Sequence, residues 1–158
     1  MEEFILREAG VNDIPLLTGL RFAYLREDRG SLIAEEEAAL YEVLPDYFAR
    51  NLGTMFFAYL IEIDGEAVST AYLAVSEKPA NPAFITGKVG TILNVYTHPA
   101  HRRKGYATMV LKKLIDRARE RKLSKIELSA TADGKPVYEK LGFAEKNSHY
   151  TEMQLRLK

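Results

Sequence analysis

From His101 to Leu114 the chain reads HRRKGYATMVLKKL, with three cationic side chains, Arg102, Arg103 and Lys104, directly before Gly105 and an apolar-striped run. Residue types in that order build an anion site. The first turn of a helix has N–H groups with no intrahelical partner, and its dipole adds partial positive charge. A glycine there has no Cβ, so an anion can approach the backbone closely. The guest that suits such a cradle is a phosphate or pyrophosphate. There is no G-x-x-x-x-G-K-[ST] run for a nucleoside triphosphate and no G-x-G-x-x-G after an early strand for a dinucleotide. Taken alone, the basic loop reads equally well as a solvated turn.

The elements that must position this loop belong to one domain covering residues 1–158, since 158 residues with 47% hydrophobic content suit a single core. The formal net charge is zero, which argues against a general nucleic-acid binder. The charge is unevenly distributed: Glu27 to Asp46 is mostly acidic and Arg102 to Lys122 mostly basic. With no cysteine and three scattered histidines, neither a disulfide framework, a thiolate nucleophile nor a metal site is expected. The apolar runs are too short to span a bilayer and the first residues are acidic, so a cytoplasmic protein with no membrane partner is the expectation.

Along the chain, Phe4 to Arg7 predicts a short strand. A helix then starts near Asn12 or Asp13, with an apolar stripe at Ile14, Leu17, Leu20, Tyr24 and Leu25. A second helix follows Ser31, with Glu35 to Glu37 in its early turns. Aromatic and β-branched residues flank Asp64-Gly65, which signals a hairpin. Val89 to Thr97 reads as a mostly buried strand. The helix after Gly105 places Ala107, Val110, Leu111, Leu114, Ile115 and Ala118 on one face. Lys125 to Ala130 alternates as a strand, Pro136 opens a short helix and Gly142 stops it. Thr151, Met153, Leu155 and Leu157 share one side of a last strand. The order is β-α-α-β-β-β-α-β-α-β-β, without repeats.

These residues resemble the GNAT N-acetyltransferases, whose pyrophosphate loop reads [QR]-x-x-G-x-[GA]. RRKGYA, Arg102 to Ala107, fits that pattern and is preceded by V-x-x-H-P from Val95 to Pro99. YEKLGF, Tyr138 to Phe143, lies one strand and one helix downstream, as in the family. The resemblance covers essentially the whole chain. It implies an α+β fold: a mixed, mostly antiparallel central sheet of about seven strands, flanked by about four helices, whose fourth and fifth strands splay apart around acetyl-CoA. It further implies that backbone groups at Val95, Tyr96 and Thr97 pair with the pantetheine arm. The loop of Arg102, Arg103, Lys104, Gly105, Tyr106, Ala107 and Thr108 would hold the pyrophosphate. The thioester carbonyl would then lie near a bulge at Asn94 and Val95.

By the same resemblance Tyr138 is the general acid for the departing thiolate, a phenol of pKa about 10 being protonated at neutral pH. The base is open. Many members carry a glutamate on the fourth strand, but Lys88 to Thr97 contains no carboxylate, leaving a water chain or an acid such as Glu27 or Glu127. Where the family often has asparagine seven residues before the tyrosine, this chain has Thr131, assigned to the cofactor set. His98 and His101 read more simply as a turn before the loop. Glu27 and Asn94 are the candidate acceptor-site residues, and the acidic 27–46 region would bias the acceptor toward cations.

The expected activity is transfer of an acetyl group from acetyl-CoA to a primary amine of a small molecule or peptide, by direct attack and with no metal. The competing reading is a non-catalytic acyl-CoA-binding or sensory module of the same fold. A basic-helix nucleic-acid binder ranks last, because Asp116 and Glu120 interrupt the basic face. A homodimer is a permitted assembly.

Overall fold

The computed structural model describes residues 2–158. Strand β1 (Ile5–Glu8) leads through a 3₁₀ turn at Val11–Asp13 into α1 (Ile14–Arg29), followed by α2 (Ala34–Asn51). Then come β2 (Phe56–Ile63), β3 (Glu66–Glu77), β4 (Lys88–Thr97), α3 (Tyr106–Glu120), β5 (Lys125–Glu127) and α4 (Lys135–Lys140). Asp64 and Gly65 both have positive φ (51° and 80°), the conformation of a tight hairpin turn, and they join β2 to β3 as the sequence predicts.

The five strands form one sheet in the order β1-β2-β3-β4-β5, antiparallel except for the parallel β4–β5 pair. Two features depart from the sequence reading. The expected strand over 125–130 pairs only at Lys125–Glu127, and residues 144–158, expected to supply the last two of about seven strands, form no strand and are exposed throughout. Periodicity specifies which side of a segment is apolar, but a strand exists only where a neighbouring edge accepts its hydrogen bonds.

Both faces of the sheet are covered, which is why FFAYLIEI in β2 is apolar almost throughout. Phe57, Ile61 and Leu73 pack against Val110, Leu111 and Leu114 of α3 on one face. Phe56, Ala58, Leu60 and Tyr72 pack against Leu17, Leu20 and Phe48 of α1 and α2 on the other. The start of α1 is fixed by Arg7, whose guanidinium donates two parallel 2.8 Å hydrogen bonds to Asp13. That pairing holds the Asp13 carboxyl below the usual carboxylate range.

Tyr72, 1% exposed on β3, ties α1 to the sheet by donating a 2.6 Å hydrogen bond to the Leu17 carbonyl. Tyr72→Phe keeps the ring and removes this link. It is expected to cost about 1 kcal/mol, the ordinary worth of a buried neutral hydrogen bond, measured as a lowered midpoint in urea with an unchanged slope.

Candidate active site

Pairing of β4 with β5 covers only Val89↔Lys125, Gly90↔Ile126 and Thr91↔Glu127, after which the strands separate. A cleft of about 390 Å³ opens between them, lined by Leu93, Asn94 and Val95 of β4, Leu128 and Ser129 beyond β5, Ala107 of α3, Tyr138 of α4 and Tyr24 of α1. The splay expected for the fourth and fifth strands is therefore present.

The cleft is aimed by a bulge. In the β3–β4 ladder Tyr72 pairs with Leu93 and Thr70 with Tyr96, so Asn94 and Val95 together face the single residue Ala71. Asn94 adopts φ 55°, a left-handed conformation that asparagine tolerates better than most residues. Its side chain is 1% exposed and fully engaged: Nδ2 donates to the Leu20 carbonyl at 3.3 Å, and Oδ1 accepts from Arg21 Nη1 at 3.3 Å. Asn94 thus fixes the bulge to α1 by its side chain, and a bulge leaves its extra residue outside the ladder, with backbone polar groups free to meet a ligand.

After β4, Pro99–His101 forms a second 3₁₀ turn, in which His98 Nδ1 accepts a hydrogen bond from Ala100 N–H. His101 Nδ1 lies 3.4 Å from Glu2. Both histidines serve the turn. Arg103 then takes φ 65° and Gly105 φ 82°, the latter as N-cap of α3. No side chain caps this helix start and its first turn contains no acid. The amides at the start of α3 therefore have no side-chain partner, and nothing lies within 4 Å of where a Cβ on Gly105 would stand.

The loop cations are less uniform than the sequence suggests. Arg102 turns back toward β4 and α1, donating from Nε to the Thr97 carbonyl at 2.8 Å and from Nη2 to Glu27 at 2.6 Å. Lys104 Nζ lies 2.5 Å from Glu2. Among the described residues Arg103 makes no ion pair, and it stands exposed beside the cradle. The Tyr106 ring is buried edge-on against Phe4 and its hydroxyl donates to Glu2, so its side chain is turned into the fold. Thr97 faces Ser69, hydroxyl to hydroxyl at 2.8 Å, and the Arg102 guanidinium lies over the Tyr96 ring.

Tyr138 is half-buried in the cleft wall. Its ring packs edge-on against Phe143, and no hydrogen bond to the described residues engages its hydroxyl. Burial, and secondarily the neighbouring Tyr24, pushes its pKa upward. Thr131 braces the turn into α4 by accepting the Gly134 N–H at 3.1 Å, and it also lines the cleft. None of the lining residues is a carboxylate or a histidine. Glu127, one of the acids considered as base, is paired with Lys125 at 3.0 Å and Lys146 at 3.3 Å, and its pKa is lowered chiefly by Lys125.

Two residues that the sequence reading did not place at the site border it. Tyr24 lines the cleft opposite Tyr138, and Arg21 holds Asn94. The only sequence signal for Tyr24 is that the α1 stripe through Leu17 and Leu20 extends one more turn and places a tyrosine there.

This arrangement is that of an acetyltransferase, and the chain belongs to the acetyltransferase (GNAT) family, whose model matches residues 21–143. A predicted acetyltransferase from Clostridium acetobutylicum, solved with acetyl-CoA, is 31% identical with a TM-score of 0.80, the match covering 96% of each chain. A GCN5-related N-acetyltransferase from Ralstonia eutropha JMP134 is 25% identical with a TM-score of 0.78, covering 96% of this chain and 99% of that one. A glucosamine-6-phosphate N-acetyltransferase from Arabidopsis thaliana shares the fold at 20% identity and a TM-score of 0.67, with 96% and 99% covered. No match was found among curated proteins. Among the described residues no helix is long and apolar enough to cross a membrane.

Proposed function

We propose that the protein transfers an acetyl group from acetyl-CoA to a primary amine. The observation that carries this reading is the placement of Tyr138 on the same cleft as the bulge at Asn94–Val95 and Ala107 of the anion cradle. Pyrophosphate would sit on the amides from Gly105 to Thr108, with Arg103 as the free charge. The pantetheine arm would run along Val95, Tyr96 and Thr97, bringing the thioester to the bulge. A backbone N–H there would stabilise the charge that builds on the carbonyl oxygen as the amine attacks. Tyr138 would donate its proton to the departing sulfur. With no carboxylate lining the cleft, the proton of the attacking amine leaves through water.

The acceptor's charge preference follows from which free charged side chains adjoin the cleft. Of the acids expected to attract a cation, Glu27 is held by Arg102, Glu37 by Arg26 at 2.7 Å and Asp46 by Arg50 at 2.8 Å; Asp28, Glu35, Glu36 and Glu42 make no ion pair among the described residues, and none of the seven lines the cleft. Arg21, which adjoins the cleft through Asn94, has no carboxylate partner among the described residues. This supports an acceptor that carries an anionic group beside its amine, in preference to a polycation. The test is release of free thiol from acetyl-CoA against amino acids, phosphorylated amines, polyamines, aminoglycosides and peptides. Turnover is expected with a member of the first two groups. Tight CoA binding with no thiol release from any amine would replace this reading with the sensory module.

A further inference from the structure

Residues 144–158 are exposed along their whole length, although their sequence is patterned like a buried strand. The segment is anchored at its start, where Glu145 pairs with Lys135 of α4 at 3.0 Å and Lys146 with Glu127 of β5 at 3.3 Å. From Asn147 onward every residue is exposed and none belongs to the sheet. Met153, Leu155 and Leu157 are 90%, 83% and 85% exposed, and they alternate with Glu152, Gln154, Arg156 and Lys158. Strict alternation over this length is the mark of a strand with one covered face. At the same time β5 is the last strand of the sheet and pairs only with β4, so its outer edge is open among the described residues. Open strand edges are normally paired, covered or blunted.

One copy of the chain therefore holds both halves of an unmade pairing: an unpaired edge, and a spare strand that runs clear of it. We infer that the arm over residues 147–158 lies along the β5 edge of a second copy, reciprocally, so that two chains exchange arms about a two-fold axis. Such an exchange is self-complementary. Each arm finds the same edge that its own chain presents to the partner, and the assembly closes at two copies. Nine residues, Tyr150 to Lys158, extend to about 30 Å as a strand, so the arm is long enough to cover the edge of β5 and the chain beyond it. Ile126 and Leu128, partly buried on the α3 face of the sheet, offer apolar surface next to that edge for one side of the arm. The proposal does not depend on acetyl transfer.

Sedimentation of the full chain at micromolar concentration is expected to give twice the chain mass. Two variants, a chain ended at Ser148 and the double substitution Met153→Glu with Leu155→Glu, are expected to sediment as folded monomers that keep the helical circular dichroism of the parent. A mixture of ¹⁴N and ¹⁵N protein, unfolded, refolded together and treated with a lysine-reactive cross-linker, reads the connection directly in the unmutated chain. Links from Lys158 to Lys125 or another core lysine are expected to include mixed-isotope pairs. A monomeric full chain, or arm-to-core links confined to one isotope, would mean that the arm folds onto its own sheet and would overturn the exchange. A dimer that survives both arm variants would also overturn it, by placing the interface elsewhere.

Discussion

Tyr138→Phe is expected to lower kcat for acetyl transfer by roughly ten- to a few-hundred-fold, with little change in the affinity for acetyl-CoA or in stability. General-acid donation typically contributes about 10²- to 10⁴-fold, and a thiolate leaves readily enough to put this case at the low end. The phenyl ring retains the packing against Phe143 and the surface beside Gly134. The hydroxyl has no partner among the described residues whose loss would leave a buried orphan. A loss confined to kcat, with KM nearly constant, separates proton donation from substrate binding.

The pH profile gives the same residue a second signature. A proton donor works only while protonated, so activity is lost as pH rises through its pKa. Burial places that pKa above the ordinary phenol value of about 10, and the alkaline limb of the wild-type kcat profile is expected above pH 10. The limb should be missing in Tyr138→Phe. Turnover of the variant at the wild-type rate would make Tyr138 a packing residue and assign the proton to solvent.

Local pattern and long-range pairing were not equally legible in the sequence. The stripe from Ala107 to Ala118 shows α3 clearly because amphipathic spacing is a property of the segment itself. The uncapped helix start at Gly105 was legible for the same reason, since the basic loop, the glycine and the first turn of α3 lie within eight residues. The engagement of Arg102 by Glu27 was not, because it joins positions 75 residues apart. Only the fold shows that the cation is already committed and that an acid assigned to the acceptor is its partner. The arm is the clearest case. Its alternation reads as strand-like, yet residues 144–158 form no strand, because alternation carries no information about which edge, or which copy, would complete a ladder.

Gly105→Glu is expected to weaken CoA binding at least 100-fold, about 2.7 kcal/mol, in a protein that remains folded. A Cβ at this position meets nothing within 4 Å, so the substitution introduces no clash. The cost to the fold is conformational, because a φ of 82° is left-handed, at about 1–2 kcal/mol for a residue with a side chain. A carboxylate at a helix N-terminus partly offsets that strain through the dipole. The same carboxylate reaches the unpaired amides that the pyrophosphate needs and repels its charge. Gly105→Ala carries the strain without the charge, so calorimetry is expected to show a loss of only a few-fold for it. Pantetheine, which lacks the phosphates, should bind wild type and Gly105→Glu alike. Unchanged CoA affinity in a folded Gly105→Glu protein would move the pyrophosphate away from the start of α3. Equal losses for Ala and Glu would make Gly105 a backbone requirement and leave the charge of the cradle without a role.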